Sequence, residues 1–414
     1  MENAKSRVPG WLILAGFVIC LPFLVAGVIW EYMSATATPL HPNAASVPTE
    51  SGVAAPAKWG EAVEQARQQV RADLVERNLP GLSVAVGLRG EVVWAEGFGW
   101  ADLENRTQVT PETRFRIGTA STALTSAAVG LLLEEGRLLL DEKIQTYVPE
   151  FPVKKWPVTL RQLMAHVSGV GNDGGDEGPL FSEHCERPVE ALPHFAEGRL
   201  RSEPGAEYRY SQYGWILISA ALESAAKESF LAFMQKRVFD PLSLRHTGAD
   251  PAKLDADSEE GLLPPVPGLA NSYFPRYSAD PRYGPDPMRA LDYSCYAGSS
   301  VFVSTPSDLV RFAMAIHQGK LLKPATVKLL QTSFRLPSGE ETGYGLGWDR
   351  ETVMFSGTPT SLVGHDGDLL GGMAVSFMTF PEHEITVSVA ANISYADTFS
   401  IAVKIAQAFA EKGK

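Results

Sequence analysis

The stretch from Ser121 to Glu135 reads STALTSAAVGLLLEE and is apolar at nearly every position. A helix of this kind has no face to offer water, so it belongs at the centre of a domain with other elements packed all round it. Gly136 is placed to end it. Elsewhere the period changes. LSVAVGL, Arg89-Gly90 and EVVWAEGFGWA predict a hairpin near the start of the chain. Met373 to Phe380 and Ile385 to Asn392 predict a second near the end, across Pro381-Glu382-His383-Glu384. Trp59, Val63, Ala66, Val70 and Leu74 recur every three or four residues, predicting a helix from Trp59 to Asn78. Gly214 to Ala226, Asp308 to Gln318 and Ser400 to Lys412 read as further helices, and Thr159 caps a short one running to His166. Two hairpins at opposite ends of the chain, each beside a helix, predict one shared antiparallel sheet. Helices flank it, and a mostly helical lobe is inserted between the hairpins. This is an α+β architecture.

Ahead of this domain, Trp11 to Trp30 is a run of twenty residues without a charge, long enough to span a bilayer. Lys5 and Arg7 precede it and Glu31 follows it. The positive-inside rule then leaves residues 1–10 in the cytoplasm, makes 11–30 a transmembrane anchor and puts the rest on the periplasmic or extracellular side. A cleaved signal peptide is the rival reading, with Ala35-Thr36-Ala37 as its cleavage site, but its apolar region is normally shorter. Residues 31–58 are rich in Ala, Pro, Ser and Thr without an apolar period and read as a tether. Residues 59–414 are then one domain.

The net charge of −12 and the lack of any basic stripe argue against nucleic acid as a partner. Of three cysteines, Cys20 lies in the apolar run, while Cys185 and Cys295 lie in loop-like stretches and are able to pair if the domain is extracytoplasmic. No cysteine or histidine spacing suggests zinc. Asp173, Asp176 and Glu177 lack the spacing of a calcium loop, and Glu382-His383-Glu384 is a turn. No metal and no cofactor are expected.

Six blocks carry a family likeness: FRIGTASTALTSAAVGLLLEEGRLLLDEKIQTYVPEFP from Phe115, VTLRQLMAHVSGV from Val158, PGAEYRYSQYGWILISAALE from Pro204, AGSSVFVSTPSDLVRFAMAI from Ala297, GYGLGWD from Gly343 and GHDGDLLGG from Gly364. In their order, and over roughly Trp59 to Lys412, they resemble the β-lactamase-related serine hydrolases, which include the class C β-lactamases and penicillin-binding proteins. The likeness is closest to bacterial relatives of the mitochondrial serine β-lactamase-like protein. It implies the family fold, with an active site between an α/β lobe and a helical lobe. It also implies a serine nucleophile and a lysine base in Ser-x-x-Lys at the start of the buried helix. A Tyr-x-Asn loop and a Lys-Thr-Gly or His-x-Gly strand complete the family's site.

Carried over residue by residue, the nucleophile position is Thr119 and the lysine position is Thr122. Tyr210 matches the tyrosine, Gln212 stands where Asn is usual, and His365-Asp366-Gly367 matches His-x-Gly with Asp368 after it. The catalytic positions are therefore Thr119, Thr122, Tyr210 and His365, with Gln212, Gly367 and Asp368 at the substrate. A threonine hydroxyl cannot replace an amine as proton shuttle near neutral pH. The β-methyl of Thr119 restricts its χ1 and crowds the line of attack. Asp366 and Asp368 would repel the carboxylate of a β-lactam or a peptide C-terminus. Thr119 also has the chemistry of a helix N-cap. Ser121, about 200° round the helix from Thr119, is expected to bond a backbone carbonyl. Ser211, beside Tyr210, is expected to face the cleft, and His166 to hold a loop at the lobe boundary.

Three functions follow as expectations. The first is a membrane-anchored pseudo-hydrolase that binds a peptide- or peptidoglycan-like ligand in its cleft. The second is an atypical hydrolase of an ester or amide, with Tyr210 as base. The third is a structural or assembly protein at the membrane.

Overall fold

The computed structural model describes residues 10–172, 179–251, 266–277, 279–288, 291–369 and 371–412. Side chains are described from Cys20 onward, apart from those of Pro179, Asp368 and Leu369. Asp173, Asp176 and Glu177 therefore lie outside the described residues.

Both expected hairpins form, and they meet in one sheet. We number its strands β1 (Thr49–Val53), β2 (Gly81–Leu88), β3 (Glu91–Asp102), β4 (Asp349–Phe355), β5 (Thr358–Leu369), β6 (Met373–Phe380) and β7 (Ile385–Ala391). They run in the order β1-β3-β2-β7-β6-β5-β4, every pair antiparallel, and Thr107–Gln108 pairs outside β3 as an eighth strand. β2 meets β7 with Leu82 opposite Ala391 and Leu88 opposite Ile385. The β2–β3 turn places Arg89 and Gly90 both at positive φ, 52° and 90°, as a two-residue hairpin turn with right-handed strand twist requires.

The two faces of the sheet are chemically unequal, because side chains alternate along a strand. Leu82, Val84, Val86 and Leu88 of β2, with Ile385, Val387 and Val389 of β7, pack into the cluster formed by α1 (Gly60–Glu76) and α2 (Thr398–Lys412). Trp59, Trp94 and Phe409 close that cluster. The residues between them are small. A Cβ on Gly87 would lie 2.5 Å from Met314 Sδ, so a smaller side chain here lets α3 (Pro306–His317) approach the other face.

α4 (Ser121–Glu134) is the apolar helix, buried from Ser121 through Gly130, and it packs on α5 (Gln212–Ala226). The short helix Leu160–Met164 opens with the capping box of Thr159 and Gln162. Buried Arg116, just before α4, pairs with Asp250 at 2.5 Å and bonds Ser272 Oγ at 2.9 Å, which joins three distant segments of the chain between the hairpins.

Two expectations need correction at the N-terminus. Residues 31–58 are not a free tether. His41 is buried, its ring nitrogen 3.1 Å from Leu79 O, and Leu40 N–H donates to Asn78 Oδ1 at 2.8 Å. Asn43 and Ser46 form a capping box, and β1 adds an edge strand to the sheet. The segment finds acceptors at the C-terminal end of α1 that its own composition does not reveal. The apolar run lies within a helix from Gly10 to Thr36. Among the described residues, however, no helix is long and apolar enough to cross a membrane.

Candidate active site

Strand β5 brings the site together because Gly367 has no side chain. A Cβ there would sit 2.1 Å from Ile117 O and 3.0 Å from Ala120 N. The strand therefore lies directly against the single turn Gly118–Ala120 that leads into α4. This turn carries Thr119, whose side chain is buried in residue terms to 8% exposure. Its Oγ1 donates to Asp366 O at 3.1 Å. Thr119 is not the expected N-cap: that position falls on Ala120, with no side-chain cap bond.

One turn on, Thr122 is fully buried. Its hydroxyl donates to Thr119 O and lies 2.9 Å from His365 Nε2. Tyr344 reaches the same nitrogen with its hydroxyl, also at 2.9 Å. His365 Nδ1 is 2.5 Å from Asp366 O and 3.7 Å from Asp349 Oδ2. A carbonyl only accepts, so this contact places a proton on Nδ1. Burial, then the Asp349 carboxylate, push the Tyr344 phenol well above its ordinary range. Tyr344 therefore keeps its proton near neutral pH. Tyr208 is raised by the same two causes. Neither phenol is a base near neutral pH.

The remaining candidates converge through aromatic contacts. The His166 ring lies 4.4 Å from that of Tyr210 and 4.8 Å from that of Tyr344. Tyr210 is 36% exposed at the edge of this cluster. His166 sits at φ 56°, and its Nδ1 accepts from Ser211 N–H at 3.1 Å, which holds the Tyr210 loop. Ser211 does not face the cleft: buried, it caps α5 by accepting from Gly214 N–H and donates to Gly171 O at 2.7 Å. Gln212 opens α5 half-exposed, with its backbone N–H on Asn172 Oδ1 at 3.0 Å. Ser121 is buried, but its Oγ has no hydrogen-bond partner among the described residues, contrary to the expected carbonyl bond. Asp368 lies on β5.

Sequence reasoning missed Tyr344. The signal was present in GYGLGWD, where Gly343 at φ 73° and Gly347 at φ 94° shape the turn that inserts it.

The geometry sits in a recognisable setting, because the Beta-lactamase family model matches residues 62–410. The chain belongs to that family. It is 26% identical over 453 residues to the human protein "Serine beta-lactamase-like protein LACTB, mitochondrial", an alignment covering 85% of this chain and 80% of that protein. Among solved structures it resembles the octameric penicillin-binding protein homologue from Pyrococcus abyssi, with TM-score 0.68, 24% identity and coverage of 82% and 75%. It also resembles D-amino acid amidase from Ochrobactrum anthropi SV3, with TM-score 0.66, 20% identity and coverage of 85% and 98%. These two likenesses show the fold.

One pH effect follows from His166. Burial, reinforced by nearby His365, lowers it from an ordinary value of 6.5 to about 3. The unfolded chain thus binds a proton that the folded chain refuses. The contribution of the neutral ring is fully present above pH 6.5 and is lost as pH falls toward 3, at about 1.4 kcal/mol per pH unit. Urea midpoints measured from pH 6.5 to 4.5 should fall accordingly. His166→Asn should remove about one proton's worth of the slope, and an unchanged slope in that variant would contradict the assignment.

Proposed function

We propose that this protein is a pseudo-hydrolase of the β-lactamase-related family, held at a membrane, whose cleft binds a peptide- or peptidoglycan-like ligand. One observation carries the reading. At the lysine position stands Thr122, and the partners gathered there are Thr119 O, His365 Nε2 and the Tyr344 hydroxyl, with no amine among them. The imidazole nitrogen at Thr122, His365 Nε2, is already in contact with the Tyr344 hydroxyl at 2.9 Å. The Thr119 hydroxyl points its proton at a carbonyl, which cannot take it. A nucleophile without a base is not activated.

The helix Gly10–Thr36 and the cross-link Cys185–Cys295 support membrane attachment on an oxidising side. The helix bears exposed Leu21, Phe23 and Leu24, an apolar surface able to lie against lipid. Tyr277 packs against Tyr32, and Arg276 donates to Thr36 O at 3.2 Å, so the domain would sit close to the bilayer.

The test is intact-mass measurement of the unaltered chain after incubation with a penicillin and with a fluorophosphonate probe. No adduct is expected. An adduct mapped to Thr119 would overturn the pseudo-hydrolase reading in favour of an atypical ester or amide hydrolase.

A further inference from the structure

A second pocket, of about 610 Å³, lies in the inserted lobe beside the loop that bears Tyr210. Its chemistry differs from that of the cleft. Arg199 and Arg201 line it together, and among the described residues neither guanidinium has an ion-pair or hydrogen-bond partner. The nearby His194 is already engaged with Glu183 at 2.7 Å and Lys154 at the rim with backbone carbonyls, so the cations left to meet a ligand are the two arginines. Two unpaired like charges on one wall repel, and an anion between them would relieve that repulsion while accepting charge-assisted hydrogen bonds from both.

The rest of the pocket is aromatic and fixed. Phe195 stacks on Tyr213 with centroids 4.3 Å apart and an interplanar angle of 10°. Phe151 is buried beside them. Lys154 braces the rim by donating to Ala196 O and Gly198 O. Arg201 N–H bonds Gly169 O at 2.7 Å, which sets the arginine wall against residues 169–172. That opposite wall also holds the loop that bears Tyr210: Gly171 O receives Ser211 Oγ–H and Asn172 Oδ1 receives Gln212 N–H.

We propose that this pocket binds a carboxylate carried on an apolar or aromatic body, such as the C-terminal end of a peptide whose neighbouring residues lie toward the cleft. The peptide rests on the function proposed above, whereas the carboxylate follows from the pocket alone. A site lined by two guanidinium groups together with Phe151, Phe195 and Tyr213 selects a flat organic anion over an inorganic one.

The experiment is calorimetric titration of the full chain in detergent with N-acetyl-phenylalanine, its amide, phenyl phosphate and acetate. N-acetyl-phenylalanine should bind, and the amide and acetate should bind far more weakly. Arg199→Gln with Arg201→Gln should weaken binding of the acid by about 10- to 100-fold, the range of losing charged hydrogen bonds. Both arginines are exposed, so the variant should melt with the unaltered chain. Equal binding of acid and amide, or binding unaffected by the double substitution, overturns the proposal. Binding of phenyl phosphate alone overturns the carboxylate assignment. An adduct at Thr119 in the labelling test would remove the pseudo-hydrolase reading and leave this result standing, so the two failures are distinguishable.

Discussion

Thr119→Ser combined with Thr122→Lys should give a chain that a fluorophosphonate or a penicillin labels at residue 119 far faster than the unaltered one. In serine hydrolases of other folds, loss of the nucleophile or its base costs about 10⁴- to 10⁶-fold in kcat, so a gain of at least 10⁴-fold in labelling rate is expected. The surroundings favour the repair. All three groups that gather at Thr122 can accept: Thr119 O, His365 Nε2 and the Tyr344 oxygen. An ammonium brings three donors to such a cage. Serine at 119 removes the methyl that narrows χ1. The obstacle is volume, since Thr122 is fully buried and a lysine there overpacks the site at a cost of about 1–3 kcal/mol. A thermal melt must therefore accompany the labelling. A repaired chain that melts cooperatively yet gains no adduct would show that the cleft has lost more than these two side chains. The acids of β5 would then be the next positions to change.

The loss of the lysine and the position of Tyr344 are two sides of one arrangement. A buried lysine needs acceptors and space; a buried threonine leaves both unfilled. Here the Thr122 hydroxyl donates to Thr119 O, and His365 Nε2 lies 2.9 Å from both the Thr122 and the Tyr344 hydroxyls. Such a network is stable when every member has a partner, and a partly satisfied one is costly. Hydroxyls and an imidazole thus stand where the family likeness places an amine, which supports the binding role proposed above.

Much of this was legible in the residues. The helix from Ser121 announced its burial by lacking a polar face, and both hairpins showed in their alternation and turn chemistry. The catalytic positions came from the family likeness, and the structure brings Thr119, Thr122 and His365 within one hydrogen-bonded cluster, with Tyr210 one ring away. What was illegible depends on long-range partners. Thr358–Leu369 is a full strand although TPTSLVGHDGDL has no clean alternation, because its register is set by β6. The docking of residues 31–58 is decided by Leu79 O, Pro80 O and Asn78, which only the fold brings near His41 and Leu40. Ser211 looked like a cleft hydroxyl because capping and catalysis use the same chemistry, and only the positions of Gly214 N–H and Gly171 O separate them.

Replacing Cys185 and Cys295, both buried in the core of the inserted lobe, with serine should produce a large loss of stability. The cross-link joins residues 110 apart in sequence, and closing a loop of that length in the unfolded chain corresponds to about 5 kcal/mol by the chain-entropy argument. Other bonds hold the same junction, since His184 Nδ1 lies 2.8 Å from Asp292 and Cys185 N–H donates to Ser294 Oγ at 2.9 Å. The native geometry should therefore survive, and the loss should appear as a lower urea midpoint at unchanged structure. Reduction of the unaltered chain should give the same shift. The same pair reports on compartment, because such a bond persists only where the surroundings oxidise. Alkylation of the chain taken directly from cells should modify Cys20 alone, and Cys185 and Cys295 only after reduction. If both react without reductant, the domain faces a reducing space, and its placement outside the cytoplasm fails together with the anchor orientation read from Lys5 and Arg7.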